Sequence, residues 1–402
     1  MTINKIEAKS ILLKRKHIDS WFLTRYGMNL YRGCSHDCSY CDGRAEGYYV
    51  EGDFAKDIQV KINAPELLRR ALDPRRKRKP LKRTYMSIGG GVSDSYQPLE
   101  KKLKLTRQCL EVIKDFSWPV YILTKSNLIE RDLDLFKEIQ KEYPVLISMS
   151  FSTIGDDIAK IFEPGCTPPS QRLKTLKLFH DNGIPVGVFL MPVIPGVTDK
   201  KDKIFNSMKA FKDAGVEFVL FGGMTLKDGR QKDHYYNVIR NYDESLIDGY
   251  NTVYPGHDYG AGLTKYYIKI GRFYNEAAKE LIIPRRIPAH LYNTILDKND
   301  LVTVILQNLD FLYKHEGKKS PFGYAAHVIS QLDTSIEEAF YGNHRTPMDI
   351  GNKTLLTDTT LKPDLTSMSG HPISKMNRQT VSVIEEILTT GTSRLFEELN
   401  VG

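Results

Sequence analysis

The sequence lacks any run of about 20 consecutive apolar residues, the length that crosses a bilayer, so we expect no membrane-spanning segment and no membrane partner. Its first 21 residues, MTINKIEAKSILLKRKHIDSW, lack both an apolar core and a small-residue cleavage site, so we expect no secretory signal and a cytoplasmic location. Cysteine is scarce: the 402 residues include five, and three of these fall within eight positions. An odd number crowded in this way excludes a disulfide framework and is typical of a metal site.

The composition that remains is that of an ordinary globular protein, with 41% hydrophobic and 26% charged residues. Between about residues 28 and 222, short apolar runs rich in β-branched residues alternate with amphipathic stretches. Continuous apolar runs are typical of strands buried on both faces of a parallel sheet. They predict strands at residues 28–31, 84–88, 120–124, 145–151, 186–193 and 218–221.

Six β-α repeats with right-handed crossovers predict an α/β fold, a partial (β/α)6 TIM-like barrel. Asn63 with Pro65 predicts the start of one helix, and Thr198 predicts the start of another. Gly183 and Gly215 follow predicted helix ends, where a left-handed residue is favoured. In such barrels the functional residues lie at the carboxyl ends of the strands, so we expect the site at that edge.

The domain organisation follows from a change of pattern after residue 230. We predict a lead-in at 1–27, the barrel at 28–230, and a mainly helical C-terminal extension at 231–402 with an irregular tail at about 340–380. Residues 235–274 contain nine of the 22 tyrosines. Core and helix-surface positions are favoured for these tyrosines over a base-stacking platform.

Positive charge is concentrated in one stretch. The formal net charge is +8, and residues 69–83 alone contain nine Lys or Arg and one Asp. We call these residues the basic segment. It is either a solvated connection between a helix and a strand, or a patch that contacts nucleic acid phosphates or an acidic protein. Because it leads into the second predicted strand and a glycine run, we expect it at the rim of the open face of the barrel.

The sharpest motif is YRGCSHDCSYC, in which Cys34, Cys38 and Cys41 have C-x3-C-x2-C spacing and follow the first predicted strand. Three thiolates on one loop can hold three irons of a [4Fe–4S] cluster and leave the fourth iron open to a small molecule. A structural zinc site normally has four protein ligands, so the cluster is favoured and zinc stays the alternative. His17 is a weak candidate for a fourth ligand, whereas we expect His36, which lies between two of the cysteines, to point elsewhere.

With Tyr40 directly before the last cysteine, this motif resembles that of the radical S-adenosylmethionine (radical SAM) enzymes. More narrowly, residues 28–225 are similar to the branch that contains spore photoproduct lyase and its DNA-repair-photolyase-like relatives. The resemblance covers about half of the chain. The matching stretches are YRGCSHDCSYCDGR, SDSYQPLEKK, LTKSNLIERDLDL, FEPG and GIPVGVFLMPVIPG.

The resemblance implies an enzyme with a [4Fe–4S] cluster and S-adenosylmethionine as cofactors. In the family the open iron is chelated by the amino and carboxylate groups of S-adenosylmethionine. One electron from the cluster then yields methionine and a 5′-deoxyadenosyl radical, which abstracts hydrogen from a substrate that this sequence does not identify. A low-potential electron donor of the ferredoxin or flavodoxin type is implied as a partner.

The resemblance also implies a set of cofactor-binding residues at the strand ends. Lys125 matches a lysine that contacts the cofactor carboxylate, and Ser150 a serine that meets the ribose or the carboxylate. A glycine run would let the backbone approach the methionine amino group, although a simple turn explains it too. An inward, barrel-filling serine is the alternative for Ser150. The full set is Tyr40, Gly89, Gly90, Gly91, Ser93, Asp94, Lys125 and Ser150.

One position departs from the lyase pattern. Where the lyase has a cysteine that returns a hydrogen atom to the product radical, this sequence has Val92. The C-terminal signature of the lyase is also missing, so repair of spore photoproduct is not expected. Cys109 lies in a helical pattern among core residues and is no substitute, whereas Cys166 could face the site. Glu163 receives no catalytic role.

Two other classes of function remain open. The first is a nucleic-acid-binding protein with a structural iron–sulfur or zinc site, which would use the basic segment and the tyrosine-rich stretch. The second is a cluster-bearing electron-transfer or interaction protein without a substrate of its own.

Overall fold

The computed structural model describes residues 1–48, 50, 52–77, 79–89, 91–256, 259–341, 348–350, 353–355 and 376–402. These residues form two compact units. The first comprises Met1–Lys14, Thr24–Ile287 and Val401–Gly402, and therefore extends on both sides of the predicted barrel region. The second comprises Arg15–Leu23 and Pro288–Asn400.

The strands group into three sheets of seven, three and two strands. In chain order, the strands are β1 (Thr2–Ile6), β2 (Leu12–Asp19), β3 (Thr24–Met28), β4 (Tyr31–Arg32), β5 (Asp57–Lys61), β6 (Met86–Ile88), β7 (Val120–Thr124), β8 (Val145–Phe151), β9 (Val186–Leu190), β10 (Phe218–Phe221), β11 (Met348–Ile350) and β12 (Lys353–Leu355).

The seven-stranded sheet has the order β10-β9-β8-β7-β6-β3-β2. Its strands from β3 to β10 pair in parallel, with Tyr26 opposite Met86 and Phe221 opposite Leu190 at the two ends of this set. Six parallel strands with intervening helices, open between β10 and β2, form a partial (β/α)6 barrel. The predicted fold class is confirmed.

The first predicted strand is displaced. The structure has β3 at Thr24–Met28 and the short β4 at Tyr31–Arg32, so the predicted strand 28–31 covers the last residue of β3, the two connecting residues and the first residue of β4. In β3 (TRYGM) polar residues and a glycine alternate with buried ones, so no continuous apolar run marks the strand. β4 instead pairs antiparallel with β5 in the small sheet β1-β5-β4 and leads directly into the cysteine motif.

The helices of the barrel lie between consecutive parallel strands, and the remaining helices follow β10. They are α1 (Ala64–Leu72), α2 (Glu100–Leu103), α3 (Leu105–Asp115), α4 (Leu133–Gln140), α5 (Asp156–Phe162), α6 (Pro169–Asp181), α7 (Lys201–Asp213), α8 (Arg230–Asp243), α9 (Ile247–Val253), α10 (Thr264–Leu281), α11 (Lys298–His315), α12 (Phe322–Ser330), α13 (Ile336–Tyr341), α14 (Arg378–Thr390) and α15 (Arg394–Val401).

The predicted helix ends agree with the structure to within three residues. Asn63 precedes α1, and α7 begins at Lys201, three residues after Thr198. Gly183 and Gly215 have φ of +74° and +81° just after α6 and α7. A glycine adopts this left-handed conformation without a Cβ penalty, which explains why the helices end there.

The tyrosine-rich stretch contributes mainly to the interior of the first unit. Tyr235, Tyr250 and Tyr274 are each at most 1% exposed. The Tyr250 hydroxyl donates to Pro195 O at 2.7 Å, and Tyr274 stacks on Phe221 with 4.5 Å between ring centroids. These residues therefore pack the barrel and its following helices, as predicted.

The second unit is mainly helical in its described part, which also includes the antiparallel pair β11 and β12. Asp297 caps α11 by accepting from Asp300 N at 2.9 Å, and Asn377 caps α14 by accepting from Thr380 N at 2.8 Å. The predicted irregular tail falls largely on 342–347, 351–352 and 356–375, which lie outside the described residues. Among the helices that are described, none combines the length and apolar character needed to span a membrane.

The basic segment lies at the opposite edge of the sheet from the one predicted. Its first residues form the end of α1, and the remainder connects α1 to the amino end of β6. The cysteine motif, in contrast, follows β3 and β4, beyond the carboxyl end of the parallel β3. The expectation that the segment rims the open face is therefore wrong, because a connection that enters a strand lies at that strand's amino end.

Candidate functional site

The cysteine motif forms a tight loop, residues 33–45, that we call the cysteine loop. Cys34 and Cys38 are buried, Cys41 is half-buried, and all three are free thiols. Successive turns bring the chain back on itself, with Cys41 N donating to Cys38 O at 3.2 Å. Gly33 permits this path: its φ is +79°, and a Cβ there would lie 2.9 Å from Phe54 O.

A buried arginine holds the cysteine loop from within. Arg44 is 8% exposed, donates from Nε to Cys38 O at 3.1 Å, and forms an ion pair with Asp37. Its guanidinium also lies over the Phe54 ring, 5.4 Å from the centroid. The backbone between the second and third cysteines is thereby fixed by side chains of the same loop.

The chemistry of the three thiols fits a metal cluster. Burial raises the pKa of Cys34 and of Cys41 to about 12. A hydrogen bond with Cys166, together with burial, raises the pKa of Cys38 well above its usual range. Thiols in such surroundings become thiolates when a bound cation supplies the compensating charge. Within the described ranges, no three His, Cys, Asp or Glu side chains converge on the position of a single ion.

Residues 162–166, the sequence FEPGC, include the last residue of α5 and the four residues after it, and they pack directly on the cysteine loop. Ser39 N donates to Phe162 O at 2.8 Å, and Gly165 N donates to His36 O at 2.9 Å. A Cβ on Gly165 would lie 2.3 Å from Ser35 O, so only glycine permits this approach. We call residues 162–166 the clamp segment, since it holds the middle of the cysteine loop.

The clamp segment also brings a fourth thiol to the loop. Cys166 Sγ lies 3.5 Å from Cys38 Sγ, although 128 positions separate the two residues. The other distant cysteine, Cys109, is fully buried in α3, as its helical pattern predicted. Of the two histidines considered as ligands, His17 lies in the second unit with Nδ1 3.1 Å from Ser330 O.

The second histidine, His36, links the cysteine loop to the strand ends. Its Nδ1 lies 2.9 Å from Gly165 O and its Nε2 lies 3.2 Å from Asp94 Oδ2. Burial lowers the pKa of His36, but the charge and hydrogen bond of Asp94, together with the neighbouring cysteines, outweigh burial and raise the pKa to about 10. Burial raises the pKa of Asp94, but His36 and the backbone N–H donors to the carboxylate together outweigh burial and lower it. The two side chains form a buried ion pair.

Asp94 also forms hydrogen bonds with residues at the end of β7. Its carboxylate accepts from Thr124 Oγ1 at 2.8 Å, from Lys125 N at 2.8 Å and from Tyr96 N at 2.7 Å. The neighbouring Ser93 donates its hydroxyl to Tyr31 O at 3.2 Å. Both polar residues thus lie at the carboxyl edge, with protein partners for their side chains.

Three further predicted cofactor residues meet at this edge. The Lys125 ammonium, directly after β7, donates to Ser150 Oγ in β8 at 2.7 Å and lies 5.8 Å from the Tyr40 ring centroid. Ser150 Oγ in turn donates to Met191 O at 3.0 Å. The lysine ammonium is therefore held between the ends of two parallel strands and the aromatic residue of the cysteine loop.

A buried carboxylate that the sequence left without a role joins this group. Glu163 is 2% exposed and accepts from Tyr40, from Arg172 and, at 2.8 Å, from Ser152 Oγ. Lys125 Nζ lies 3.4 Å away. Burial raises the pKa of Glu163, but the charges of Arg172 and Lys125 outweigh burial and lower it to about 2.

The sequence contains a recognisable motif for only one of these buried residues. The stretch FEPG was recognised, so Glu163 could have been included. Arg172 and Ser152 had no such signal, because an arginine within PSQRLKTLKLFHD and a serine at a strand end look like surface residues. In the structure Arg172 is fully buried.

The glycine run follows β6 with unusual backbone conformations. Gly89 and Gly91 have φ of +74° and +99°, and Gly90 lies outside the described residues. A Cβ on Gly91 would meet no atom within 4 Å, so the backbone there borders open space. Val92 packs beside the cysteine loop, because a Cβ on Gly43 would lie 2.8 Å from the Val92 Cβ.

Known proteins of similar sequence include two without an established activity. An uncharacterized protein of Methanocaldococcus jannaschii is 34% identical over 223 residues, which are 55% of this chain and 78% of that protein. An uncharacterized protein of Mycobacterium tuberculosis is 28% identical over 234 residues, which are 57% of this chain and 67% of that protein.

Solved structures of similar fold include those of spore photoproduct lyase. A variant of the lyase has a TM-score of 0.51 at 16% identity. The lyase complexed with dinucleoside spore photoproduct has a TM-score of 0.50 at 14% identity. Each comparison covers 70% of this chain and 79% of the lyase chain, and at these identities it establishes the fold.

Membership of a family follows from two findings together: the match to a protein-family model and the similarity to the Methanocaldococcus jannaschii protein. The model described as the radical SAM superfamily matches residues 28–208, which include the cysteine loop and the strands from β6 to β9. The archaeal relative is matched over 78% of its length. The chain therefore belongs to the radical SAM superfamily.

Proposed function

We propose that this protein is a radical SAM enzyme of the spore photoproduct lyase-like branch that abstracts hydrogen from an unidentified substrate. Its cofactors would be a [4Fe–4S] cluster, held by Cys34, Cys38 and Cys41, and S-adenosylmethionine. When bound, these groups supply one-electron cleavage of the sulfonium, which yields methionine and a 5′-deoxyadenosyl radical. The convergence of Lys125, Ser150 and Tyr40 beside the cysteine loop is the observation that supports this proposal most directly.

The cysteine loop would supply the thiolates and keep water away from them. Cys34 and Cys38 are 6% and 7% exposed, so a cluster held there would lie in surroundings of low dielectric constant. Low dielectric and few competing waters strengthen every electrostatic interaction with the cluster. Arg44, His36 and the clamp segment would keep the loop in one conformation.

Lys125 would bind the carboxylate of S-adenosylmethionine. Its ammonium has three donor positions, and Ser150 Oγ and Glu163 lie within 2.7 and 3.4 Å. A charge-assisted hydrogen bond to a carboxylate ligand contributes about 1.5–3 kcal/mol. Tyr40, the glycines, Ser93 and Asp94 would form the remainder of the cofactor site.

One position bears on the reaction after hydrogen abstraction. The similarity to the lyase structures favours related radical chemistry, whereas Val92 stands where the lyase has its hydrogen-donor cysteine. We therefore propose that the product radical is quenched otherwise than by a thiol at position 92, and that the reaction differs from repair of spore photoproduct.

The partners remain proposals as well. Electrons would come from a low-potential donor of the ferredoxin or flavodoxin type, since the family requires a reductant. Nucleic acid would be bound through the basic segment. Because the segment lies at the amino edge, this contact would anchor a polyanion away from the cofactor site.

The test is anaerobic reconstitution followed by chemical analysis. We expect about four iron and four sulfide per chain. We also expect S-adenosylmethionine and dithionite to give 5′-deoxyadenosine without added substrate. Zinc in place of iron would favour the structural-site alternative, and a reconstituted cluster without 5′-deoxyadenosine would favour an electron-transfer protein.

A further inference from the structure

The clamp segment contacts the cysteine loop and the cofactor-site lysine at once. Phe162 and Gly165 bind the loop backbone, and Cys166 Sγ touches Cys38 Sγ. Between these contacts, the carboxylate of Glu163 accepts from Tyr40 of the loop and lies 3.4 Å from Lys125 Nζ. One carboxylate therefore links the aromatic residue of the cysteine loop to the lysine at the end of β7.

The buried charges around Glu163 do not cancel. Lys125 and Arg172, whose side chains are 13% and 0% exposed, both lie beside this one carboxylate. The nearby Asp94 carboxylate is hydrogen-bonded elsewhere, because it accepts from Thr124 Oγ1 and from Lys125 N. Two cations and one anion leave one positive charge, and buried charges are stable when they are paired. A single additional carboxylate on the Lys125 side would complete the balance.

We propose that Glu163 is a positioning residue for the carboxylate of S-adenosylmethionine: it holds the Lys125 ammonium against the Tyr40 ring, so that the lysine is oriented before the ligand arrives. Arg172 holds Glu163 in turn, and its second nitrogen binds Ser150 O. This inference rests on the proposed function, because it requires that Lys125 meets the cofactor carboxylate.

A purely structural role for the Glu163–Arg172 pair makes a different prediction. In that case loss of the carboxylate would loosen the clamp segment and weaken every ligand of the site equally. If Glu163 acts through Lys125, its substitution should lower the affinity only for ligands that have the carboxylate. Decarboxylated S-adenosylmethionine keeps the adenosine, the sulfonium and the amine, and so separates the two roles.

The experiment measures both ligands by calorimetry on the anaerobically reconstituted protein without reductant. We expect Glu163→Gln to weaken S-adenosylmethionine binding roughly ten- to a hundred-fold, and binding of the decarboxylated analogue less than about threefold. Iron content and the visible absorption should be unchanged. In a Lys125→Met background, the same substitution should change the affinity for S-adenosylmethionine less than about threefold.

Glu100→Gln is the matched control. Glu100 is also fully buried and bonded by a tyrosine and an arginine, Tyr31 and Arg131. Its substitution should lower thermal stability without changing the ratio of the two ligand affinities. If Glu163→Gln does not fold because Arg172 is left unpaired, the combined change Glu163→Gln and Arg172→Gln removes both charges and is measured in the same way.

The outcomes are distinct. Equal weakening of both ligands, or an unchanged or tighter affinity for S-adenosylmethionine, would overturn the role of Glu163 and leave the proposed function standing. A reconstituted wild-type protein that binds neither ligand would overturn the proposed function and this inference together.

Discussion

At the carboxyl edge of the barrel sheet, Lys125 and Arg172 are 13% and 0% exposed and share the carboxylate of Glu163. At the amino edge, the basic segment contains nine cations, among them Arg75, which is 88% exposed and faces Asp73. The first edge has few charges that are buried and hydrogen-bonded, and the second has many that are exposed and screened by solvent. The edge with the higher charge density is therefore not the edge that carries the proposed cofactor site.

Buried and exposed charges also affect the protein in different ways when a partner is lost or salt is added. A buried charge that loses its partner destabilises the protein strongly, because nothing else solvates it. An exposed cation interacts with polyanions at long range and loses that interaction in salt. The carboxyl edge should therefore respond most to the loss of a buried partner, and the amino edge to the salt concentration.

The largest expected effect concerns the cysteines of the carboxyl edge. Cys34→Ala, Cys38→Ala and Cys41→Ala should each abolish both the absorption near ~400 nm of the reconstituted protein and the cleavage of S-adenosylmethionine. Each substitution would remove one of the three proposed cluster ligands. Cys109→Ala, buried in α3, should preserve both properties. Full cleavage activity in any of the three loop variants would remove that cysteine from the ligand set.

The next effect is the acid sensitivity of the same edge. The pKa of Glu163 is lowered from 4.5 to about 2, since Arg172 and Lys125 outweigh burial. Because the pKa of Glu163 is lower in the folded protein than in the unfolded chain, the ionised carboxylate stabilises the fold at pH values above about 4.5. This contribution is lost as the pH falls from about 4.5 towards 2. Wild type should lose up to about 3 kcal/mol of unfolding free energy over this range that Glu163→Gln does not lose.

Denaturant unfolding followed by circular dichroism between pH 5 and pH 2 measures this difference. Glu100→Gln serves as the reference, because burial raises rather than lowers the pKa of Glu100. Parallel pH profiles for wild type and Glu163→Gln would mean that the ion pair of Glu163 adds nothing to stability.

A smaller effect is expected at Lys125. Lys125→Ala should weaken S-adenosylmethionine binding roughly ten- to a hundred-fold, because one charge-assisted hydrogen bond is lost, with the cluster retained. Calorimetry and iron analysis of the same preparation separate the two quantities. Lys141→Ala, at an exposed helix end, is the control. An unchanged affinity would take Lys125 out of the cofactor site.

The smallest effect is expected at the amino edge. If the basic segment engages four or five phosphates, log affinity for nucleic acid should fall against log salt with a slope near −4. Serine at positions 75–79 should flatten the slope and leave 5′-deoxyadenosine formation unchanged, because the segment enters β6 from the far edge. A wild-type slope in the variant, or no affinity at low salt, would make the segment a solvated connection.

Agreement between sequence and fold depended on burial. The strands β7, β8 and β10 were predicted with their observed bounds, because a strand covered on both faces is a continuous apolar run. The strands β1, β2 and β5 were not predicted. Residues such as Lys14, Arg15 and Lys16 in β2 are exposed, so this edge strand has no apolar pattern.

The sequence by itself determined the parts of this protein that are local or periodic. These are the cysteine spacing on one loop, the alternation that makes a parallel barrel, and Lys125 and Ser150 at strand ends. Only the tertiary structure decided that Glu163 and Arg172 complete the lysine's surroundings, that Cys166 touches Cys38, and that the basic segment faces away. The physical reason is that these contacts join residues far apart in the chain, and strand direction and close packing, rather than residue type, determine which of them meet.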